Sequence, residues 1–199
     1  MIYIMRSLRQ RIKQLSNHKG IWSIALIVFI FSSIAFSQAN EYSFKALFLE
    51  AAIRFITWPS TSNQSTEDVG ISFFTIGVFS NDKMKPHLIK IFSGKSVKNK
   101  MVAFRTIDSL ANILECDMLF IPESEKNNIA GIIAKCNERP TLTVSDYSDF
   151  ISSGLMLLLS IKSSKISCTI NESQLLKDNF KISHHLLQKS NLIKANPEK

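Results

Sequence analysis

The feature that most constrains this chain is an alternation of short apolar runs with segments of helical pattern. Ile71–Phe79 is a nearly continuous run of apolar, β-branched and aromatic residues, which suits a strand buried on both faces. Further strand-like runs follow at Met101–Phe104, Asp117–Ile121 and Thr141–Val144, with a helical pattern between each pair. Such an alternation is typical of a mainly parallel sheet with helices on its faces.

The alternation stops near the C-terminus. Leu155–Ile161 and Lys165–Ile170 are both strand-like, and the connection between them has the length of a hairpin loop. We therefore predict a Rossmann-like three-layer α/β sandwich, in which a C-terminal antiparallel hairpin extends the mainly parallel sheet. A helix is expected from about Glu172, and Lys181–Leu187 continues in a helical pattern.

The first 39 residues resemble an export signal. Basic residues without any acidic one precede the apolar run Ile21–Phe36, and Ser37 and Ala39 place small residues before a possible cut between Ala39 and Asn40. The alternative is an uncleaved membrane anchor, although the run is short for a span of about 20 residues. The predicted organisation is a signal peptide or anchor at 1–39, a single domain at 40–194 and a frayed tail at 195–199.

The charge of the chain says little about its partner once the first 39 residues are set aside. The chain carries 24 Lys and Arg against 16 Asp and Glu, a net charge of +8, and five of the basic residues lie in that segment. The remaining 19 against 16 leave +3. So small an excess gives no indication of a nucleic acid partner. The predicted domain is long enough to bury a core of its own.

The segment Glu41–Pro59, EYSFKALFLEAAIRFITWP, is predicted to be a helix that covers the sheet. Its aromatic stripe recurs at steps of four, three, four and three residues, as one face of a helix requires. Because the residue before a proline is pushed out of the helical region, the helix should end near Thr57. More apolar residues widen this face, so the helix either lies deep between layers or keeps one flank for a partner or a homodimer. The predicted stripe is Phe44, Phe48, Ala51, Phe55 and Trp58, widened by Leu47, Ala52, Ile53 and Ile56.

Three cysteines are present, Cys116, Cys136 and Cys168, and their spacings match no zinc or redox motif. Cys116 begins a strand that rises about 20 Å, and Cys136 ends a helix that returns by about 18 Å, so the two should meet at one edge of the sheet. A disulfide there would close a loop of 21 residues and contribute about 3 kcal/mol. The alternative is two buried thiols whose Cβ atoms point apart. Cys168 is predicted to be a buried free thiol.

A ligand cleft is expected beyond the carboxyl ends of the strands, where ligands bind in open α/β sheets. The side chains there are hydroxyls, an amide and acids, which suit a small polar molecule. The plainer alternative is that they are ordinary helix caps and turn residues. The candidate cleft residues are Ser80, Asn81, Asp82, Thr106, Ser124, Ser145 and Asp146.

No motif for catalysis or for metal or cofactor binding is recognised. Gly94–Ser96 lacks the glycine that a phosphate loop needs five residues earlier, where Ile89 stands. His184 and His185 are sequence neighbours, about 100° apart on a helix, and therefore form a poor chelate. One of them is expected to face the core and the other water. We predict a protein without enzymatic activity, catalytic residues, bound metal or cofactor.

A set of segments, taken in order along the chain, resembles a known family. The segments are EYSFKALFLEAAIRFITWP at 41–59, ISFFTIGVF at 71–79, FSGKSV at 92–97, CDMLFI at 116–121, LTVSDYSDFISSGLMLLL at 142–159, CTIN at 168–171 and LKDNFKISHHLLQKS at 176–190. With them the chain resembles the YfiR-like family of periplasmic proteins. The chain departs from the family where a glycine pair is replaced by Ser153 and Gly154, and at Lys177–Phe180.

The resemblance implies an α/β periplasmic domain of Rossmann-like layering with a regulatory role. The best-understood relatives look like inhibitory partners of a membrane-bound diguanylate cyclase, acting on its periplasmic sensor domain in cyclic di-GMP and biofilm signalling. We therefore expect an exported regulator that acts through a protein–protein interaction. The alternative function is a periplasmic sensor domain that binds a small ligand in the cleft beyond the strands.

Overall fold

In this computed structural model of the protein, residues 41–59, 73–162 and 165–193 are described. The predicted export signal, its cut between Ala39 and Asn40, the start of the first strand at Ile71 and the tail at 195–199 lie outside these residues. Helical and extended segments alternate along the described part, as the sequence predicts.

The elements are numbered here in chain order. The helices are α1 (41–52), α2 (Lys85–Phe92), α3 (Ile129–Cys136), α4 (Glu172–Lys177) and α5 (His184–Leu187). The strands are β1 (Ile56–Thr57), β2 (Phe73–Phe79), β3 (Ser96–Val97), β4 (Lys100–Ile107), β5 (Met118–Phe120), β6 (Leu142–Ser145), β7 (Leu157–Lys162), β8 (Lys165–Asn171), β9 (Lys181–Ile182) and β10 (Asn191–Ile193). Short 3₁₀ helices lie at Ile53–Phe55, Leu110–Glu115, Glu123–Glu125 and Ser148–Ser153.

Eight of the described strands form one sheet in the order β10-β8-β7-β6-β5-β2-β4-β3. β2 is parallel to β4 and to β5, β5 to β6, and β6 to β7, whereas β7 pairs antiparallel with β8. In chain order the five parallel strands are therefore arranged 2-1-3-4-5, a doubly wound order that reverses between the first and the third strand. The mainly parallel sheet is as predicted, and the last two predicted strands are antiparallel to each other.

The sheet separates two apolar cores. Met118 and Phe120 of β5 belong to the core that α1 and α2 cover, whereas Leu119 between them belongs to the core that α3 covers. Successive residues of a strand point to opposite faces, so a parallel sheet needs helices on both sides. The described residues therefore form a helix, sheet and helix layering.

α1 covers the sheet with a different stripe from the predicted one. Of the predicted stripe, Phe44 and Phe55 are 60% and 43% exposed, and Ala51 is exposed as well. Phe48 and Trp58 are partly buried and pack against the core, and Ala52, Ile53 and Ile56, which are predicted to widen the face, are buried, so the prediction is only partly right. Two apolar stripes of the same period share this segment, and periodicity does not tell which of them is buried. The buried stripe is Ala46, Leu49, Ala52, Ile53 and Ile56.

The first helix also ends earlier than predicted. It stops at residue 52 and, after a 3₁₀ turn, Ile56 and Thr57 form β1, which pairs with β9. The helical pattern predicted for Lys181–Leu187 is replaced by β9 and the short α5. Pairing between these two distant segments overrides the local helical preference of each.

Trp58 anchors the end of this N-terminal segment. Its ring packs edge-on against Phe74 and Phe180, with centroids 5.1 and 5.8 Å apart. Its Nε1 donates a hydrogen bond to the carbonyl oxygen of Asp117 at 2.9 Å. Trp58 thus ties the segment after α1 to β2, to the start of β5 and to the segment before β9.

All three cysteines are buried free thiols. Cys116 and Cys136 lie in the same apolar core, and the Cys116 thiol donates to the carbonyl oxygen of Asn112 at 3.4 Å. The sulfurs of Cys116 and Cys136 are not bonded to each other in this structure, which is the alternative to the predicted disulfide, and Cys168 is a buried free thiol as predicted. Burial raises the pKa of Cys116 to about 11, and the pKa values of Cys136 and Cys168 to about 12.

Gly77 of β2 is predicted to tolerate no side chain. A Cβ at this position would lie 2.8 Å from Cys116 Sγ and 2.8 Å from Leu119 Cδ1. We expect Gly77→Ala to lower the free energy of unfolding by about 1–3 kcal/mol, because the close-packed core must move to admit it. Urea unfolding monitored by circular dichroism measures this change.

Gly131→Ala is the matched control. Its new Cβ would meet only Leu110 Cδ1, at 3.8 Å, and alanine is the better helix former by roughly 0.5–1 kcal/mol. This variant should be as stable as the wild type or slightly more stable. Equal stability of the Gly77 and Gly131 variants would contradict the packing of β2 described here.

Candidate functional site

A cleft lies beyond the carboxyl ends of β2, β5 and β6, beside the point where the strand order reverses. This is the place where doubly wound sheets bind ligands. The cleft has a volume of about 280 Å³. It is lined by Tyr42, Asn81, Asp82, Lys83, Pro122, Glu123, Ser124, Asp146 and Tyr147.

The structure brings four of the seven predicted cleft residues together here. They come from three separate loops, after β2, after β5 and after β6, which meet because their strands are parallel neighbours. Sequence reasoning could place each residue at a strand end and could not give the strand order that makes them neighbours. The four are Asn81, Asp82, Ser124 and Asp146.

The other three predicted residues do not line this cleft. Ser80 is exposed outside it. Thr106 lies near the end of β4, where its Oγ1 accepts a hydrogen bond from Lys85 Nζ at 3.2 Å. Ser145 is fully buried, and its Oγ accepts the backbone N–H of Tyr147 at 3.0 Å. Thr106 and Ser145 therefore have the structural roles that the plainer alternative gives them.

Asp82 is the most unusual side chain of the cleft. It is only 8% exposed, and its Oδ1 accepts the backbone N–H of Met84 at 2.8 Å, just before α2. Its Oδ2 is buried and has no hydrogen-bond partner among the described residues. Burial, reinforced by the negative charge of Asp146, raises the pKa of the Asp82 carboxyl to about 6. A buried carboxylate with a perturbed pKa in a cleft marks a candidate functional group.

An ion pair joins α1 to Asp146 of the cleft. Lys45 Nζ lies 2.9 Å from Asp146 Oδ2, and the two side chains are only 6% and 19% exposed. Lys45 Nζ also lies 5.4 Å from the centre of the Tyr42 ring, whose centroid is 5.8 Å from that of His87. Ser43 Oγ is 2.9 Å from His87 Nδ1. These contacts hold the start of α1 against α2 and against the loop after β6.

Sequence reasoning missed the contribution of α1 to this cleft. Tyr42 lines it and Lys45 pairs with its Asp146 because Ala46 and Leu49 face the sheet. The signal that was available is a lysine placed directly before the alanine-containing stripe. It would have favoured the correct face if a partner for the lysine had been sought at the strand ends.

A larger cavity, of about 510 Å³, lies beside the ends of β2 and β4 and the start of α3. In the described part of the chain, no buried polar side chain that lines it lacks a hydrogen-bond partner. The smaller cleft with Asp82 is therefore the better candidate for a polar ligand.

A second candidate surface is apolar and lies on the outward flank of α1. Phe44, Leu47 and Phe48 line an open groove of about 430 Å³ together with Ile161 of β7 and Ile166 of β8. Large apolar side chains clustered on a surface indicate an interaction site. We refer to Phe44, Leu47, Phe48, Phe55, Ile161 and Ile166 as the aromatic face.

Charged residues border the aromatic face along α1. The Glu50 carboxylate pairs with Arg54 on the next turn, and its Oε1 lies 3.4 Å from Lys95 Nζ. The hydrogen bond from Arg54 lowers the pKa of Glu50. An apolar centre with a charged rim is the usual anatomy of a protein–protein interface.

His184 and His185 are both exposed, so the expectation that one of them faces the core is wrong. α5 has only four residues, and Leu186 is the one it buries. Within the described ranges, no group of three or more His, Cys, Asp or Glu side chains is placed to hold a metal ion.

The doubly wound sheet, the polar cleft and the aromatic face define an α/β domain with two candidate binding surfaces. The chain belongs to the YfiR/HmsC-like family, DUF4154, whose match covers residues 42–190. No curated protein matches the chain.

Among solved structures, the chain is similar to a conserved domain protein from Vibrio cholerae O1 biovar El Tor strain N16961. The identity is 12% and the TM-score 0.47, over 60% of this chain and 54% of that protein. The chain therefore spans about half the length of that protein. No helix in the described part of the chain has the length and apolar character needed to cross a membrane.

The raised pKa of Asp82 predicts a pH-dependent stability. The folded state keeps the proton up to a pH of about 6, whereas the unfolded carboxyl loses it near 3.8. This group therefore makes the protein less stable as the pH rises from about 4 to about 7. Asp82→Asn has no carboxyl to titrate at this position. The free energy of unfolding of this variant, relative to that of the wild type, should therefore increase between pH 4 and pH 7 by on the order of 2–3 kcal/mol.

Urea unfolding at pH 4, 5, 6 and 7 measures this difference. Comparing variants at each pH cancels any constant effect of the new amide, whose N–H₂ group also needs an acceptor. Asp108→Asn, at an exposed carboxylate, is the matched control and should follow the wild-type curve. If the stability of Asp82→Asn has the same pH dependence as that of the wild type, the pKa of the Asp82 carboxyl is not raised in the folded protein.

Proposed function

We propose that the protein is a periplasmic regulator that binds the periplasmic sensor domain of a membrane-bound diguanylate cyclase and inhibits it. It acts by binding and carries out no reaction of its own. The observation that carries this proposal is membership of the YfiR/HmsC-like family over residues 42–190, since the resemblance implies this regulatory role. Export through the segment 1–39 would bring the domain to that compartment.

The aromatic face is the surface we assign to the cyclase sensor domain. Phe44 and Leu47 on α1 are 60% and 46% exposed although the same helix has a fully buried stripe. Interfaces take most of their affinity from a few such aromatic and aliphatic anchors that a partner can desolvate. The groove beside Ile161 and Ile166 offers apolar walls on both sides to an apolar side chain of the sensor domain. A second copy of the chain on this face is the competing occupant.

Inhibition by binding requires a difference in affinity between two states of the partner. A regulator shifts an equilibrium only as far as it binds one conformation better than the other. The aromatic face must therefore match a surface that the sensor domain exposes only in its inactive conformation. The protein needs no conformational change of its own for this effect.

Charged substitutions on the aromatic face are predicted to abolish partner binding without unfolding the protein. Phe44→Glu and Leu47→Lys introduce charge at exposed positions, where the cost in stability is small. At an interface centre, a charge left without a partner should weaken binding by a factor of roughly ten or more. Calorimetric titration with the purified sensor domain of the cyclase measures this loss.

Leu176→Glu is the matched control, because Leu176 is 64% exposed on α4 and does not belong to the aromatic face. It should bind the sensor domain with wild-type affinity. Equal binding by all three variants would show that the aromatic face is not the contact surface. If the variants instead dissociate a homodimer and leave cyclase binding unchanged, the face is an interface between copies.

The regulatory role itself is tested in cells. Deletion of the gene should raise cyclic di-GMP and biofilm formation, and the wild-type gene should restore both, while the Phe44→Glu form should not. Unchanged cyclic di-GMP after deletion would overturn the proposed function whatever the outcome of the binding experiments.

A further inference from the structure

The cleft beyond β2, β5 and β6 contains a buried acidic group that the proposed function does not use. Asp82 lines the cleft, is only 8% exposed, and its Oδ2 has no hydrogen-bond partner among the described residues. A buried carboxylate oxygen in this state is costly, because it has lost its water and gained no donor in exchange. We propose that the cleft binds a small organic amine whose ammonium group donates a hydrogen bond to Oδ2 of Asp82.

The charges around the cleft favour a cation. Three acids, Asp82, Glu123 and Asp146, line it against one lysine, Lys83. The Lys45 ammonium lies 2.9 Å from Asp146, and Lys85 Nζ donates to Thr106 Oγ1 at 3.2 Å. Lys45 and Lys85 are therefore held by other acceptors. Lys83 also lines the cleft, but within the described residues neither it nor any other group donates a hydrogen bond to Oδ2 of Asp82. A ligand ammonium would supply both the missing donor and the missing charge.

The chemistry of the lining favours an organic cation over a metal ion. No group of three metal-ligating side chains is found in the described ranges. The cleft also includes the rings of Tyr42 and Tyr147, and aromatic faces attract organic ammonium groups. A volume of about 280 Å³ holds roughly nine water-sized groups at about 30 Å³ each. The ligand class is thus an amine of about that many non-hydrogen atoms or fewer.

The inference does not rest on the partner proposed above. It depends on Asp82 and its cleft, on the other side of α1 from Phe44 and Leu47. Failure of the cyclase experiments would leave it standing, and its own failure would leave the regulatory role standing.

Calorimetric titration of the purified protein at pH 7.5 tests the proposal with three probes of similar length. These are 1,4-diaminobutane, 1,4-butanediol and succinate. We expect heat of binding for the diamine at millimolar concentration or below, and none for the neutral diol or the anion. Absence of diamine binding, or binding of the diol or succinate as tight as that of the diamine, overturns the proposal.

Variants locate the binding site. Asp82→Asn should weaken diamine binding at least tenfold, whereas Asp108→Asn, in the larger cavity beside β4 and α3, should keep wild-type affinity. Circular dichroism of both variants establishes that they are folded. Equal affinity of the Asp82 variant and the wild type would contradict the assigned contact.

A measurement on the wild type alone guards against a misfolded variant. An amine that binds the ionised form of Asp82 must release a proton when the carboxyl is half protonated, near pH 6. Titration at that pH in buffers of different ionisation enthalpy should show release of roughly half a proton per diamine, and zero release or uptake would overturn the proposal.

The other charged or titratable groups at or beside the cleft are Tyr42, Lys45, Lys83, Lys85, Glu123, Asp146 and Tyr147.

Discussion

The first helix has two apolar stripes and can bury only one of them against the sheet, and the rest of the structure depends on that choice. The buried stripe contains Ala46 and Ala52, whose small side chains let the helix lie close to the strands. Next to that stripe, Lys45 reaches Asp146 at 2.9 Å in a nearly enclosed ion pair. A buried charge without its partner costs several kcal/mol, so this pair opposes the rotation that would turn the aromatic stripe inward. Phe44 and Phe55 are left exposed as a result, whereas Phe48 is partly buried.

The orientation of α1 about its own axis creates both candidate surfaces. Tyr42 and Lys45 are turned toward the carboxyl ends of β5 and β6, where they complete the cleft around Asp82. Phe44 and Leu47, one or two positions along the chain, are turned to solvent beside β7 and β8. The polar cleft and the aromatic face therefore share one short helix. A shift of α1 would be felt at both surfaces, which gives them a common structural element without a long pathway between them.

The sequence predicted what depends on pattern and missed what depends on neighbours far along the chain. The alternation that includes Ile71–Phe79 and Asp117–Ile121 was sufficient for a mainly parallel sheet, because strands separated by helices must cross over to pair in parallel. Positions at strand ends, such as Asp82 and Asp146, could be identified for the same reason. Which of them become neighbours depends on the strand order. The buried stripe of α1 and the pairing of Ile56 with Ile182 depend on contacts between the two ends of the domain, which no local periodicity contains.

We conclude that α1 faces the sheet with the buried stripe that contains Ala46 and Leu49, and we propose that the aromatic face contacts a partner. Hydroxyl-radical footprinting read by mass spectrometry tests both directly, in the isolated domain and in the presence of the cyclase sensor domain that we propose as its partner. We expect Phe44, Leu47 and Phe55 to be oxidised in the isolated domain while Leu49 and Ile53 are protected, and we expect the sensor domain to protect the first three. Protection of the aromatic residues in the isolated domain, or oxidation unchanged by the sensor domain, would contradict it.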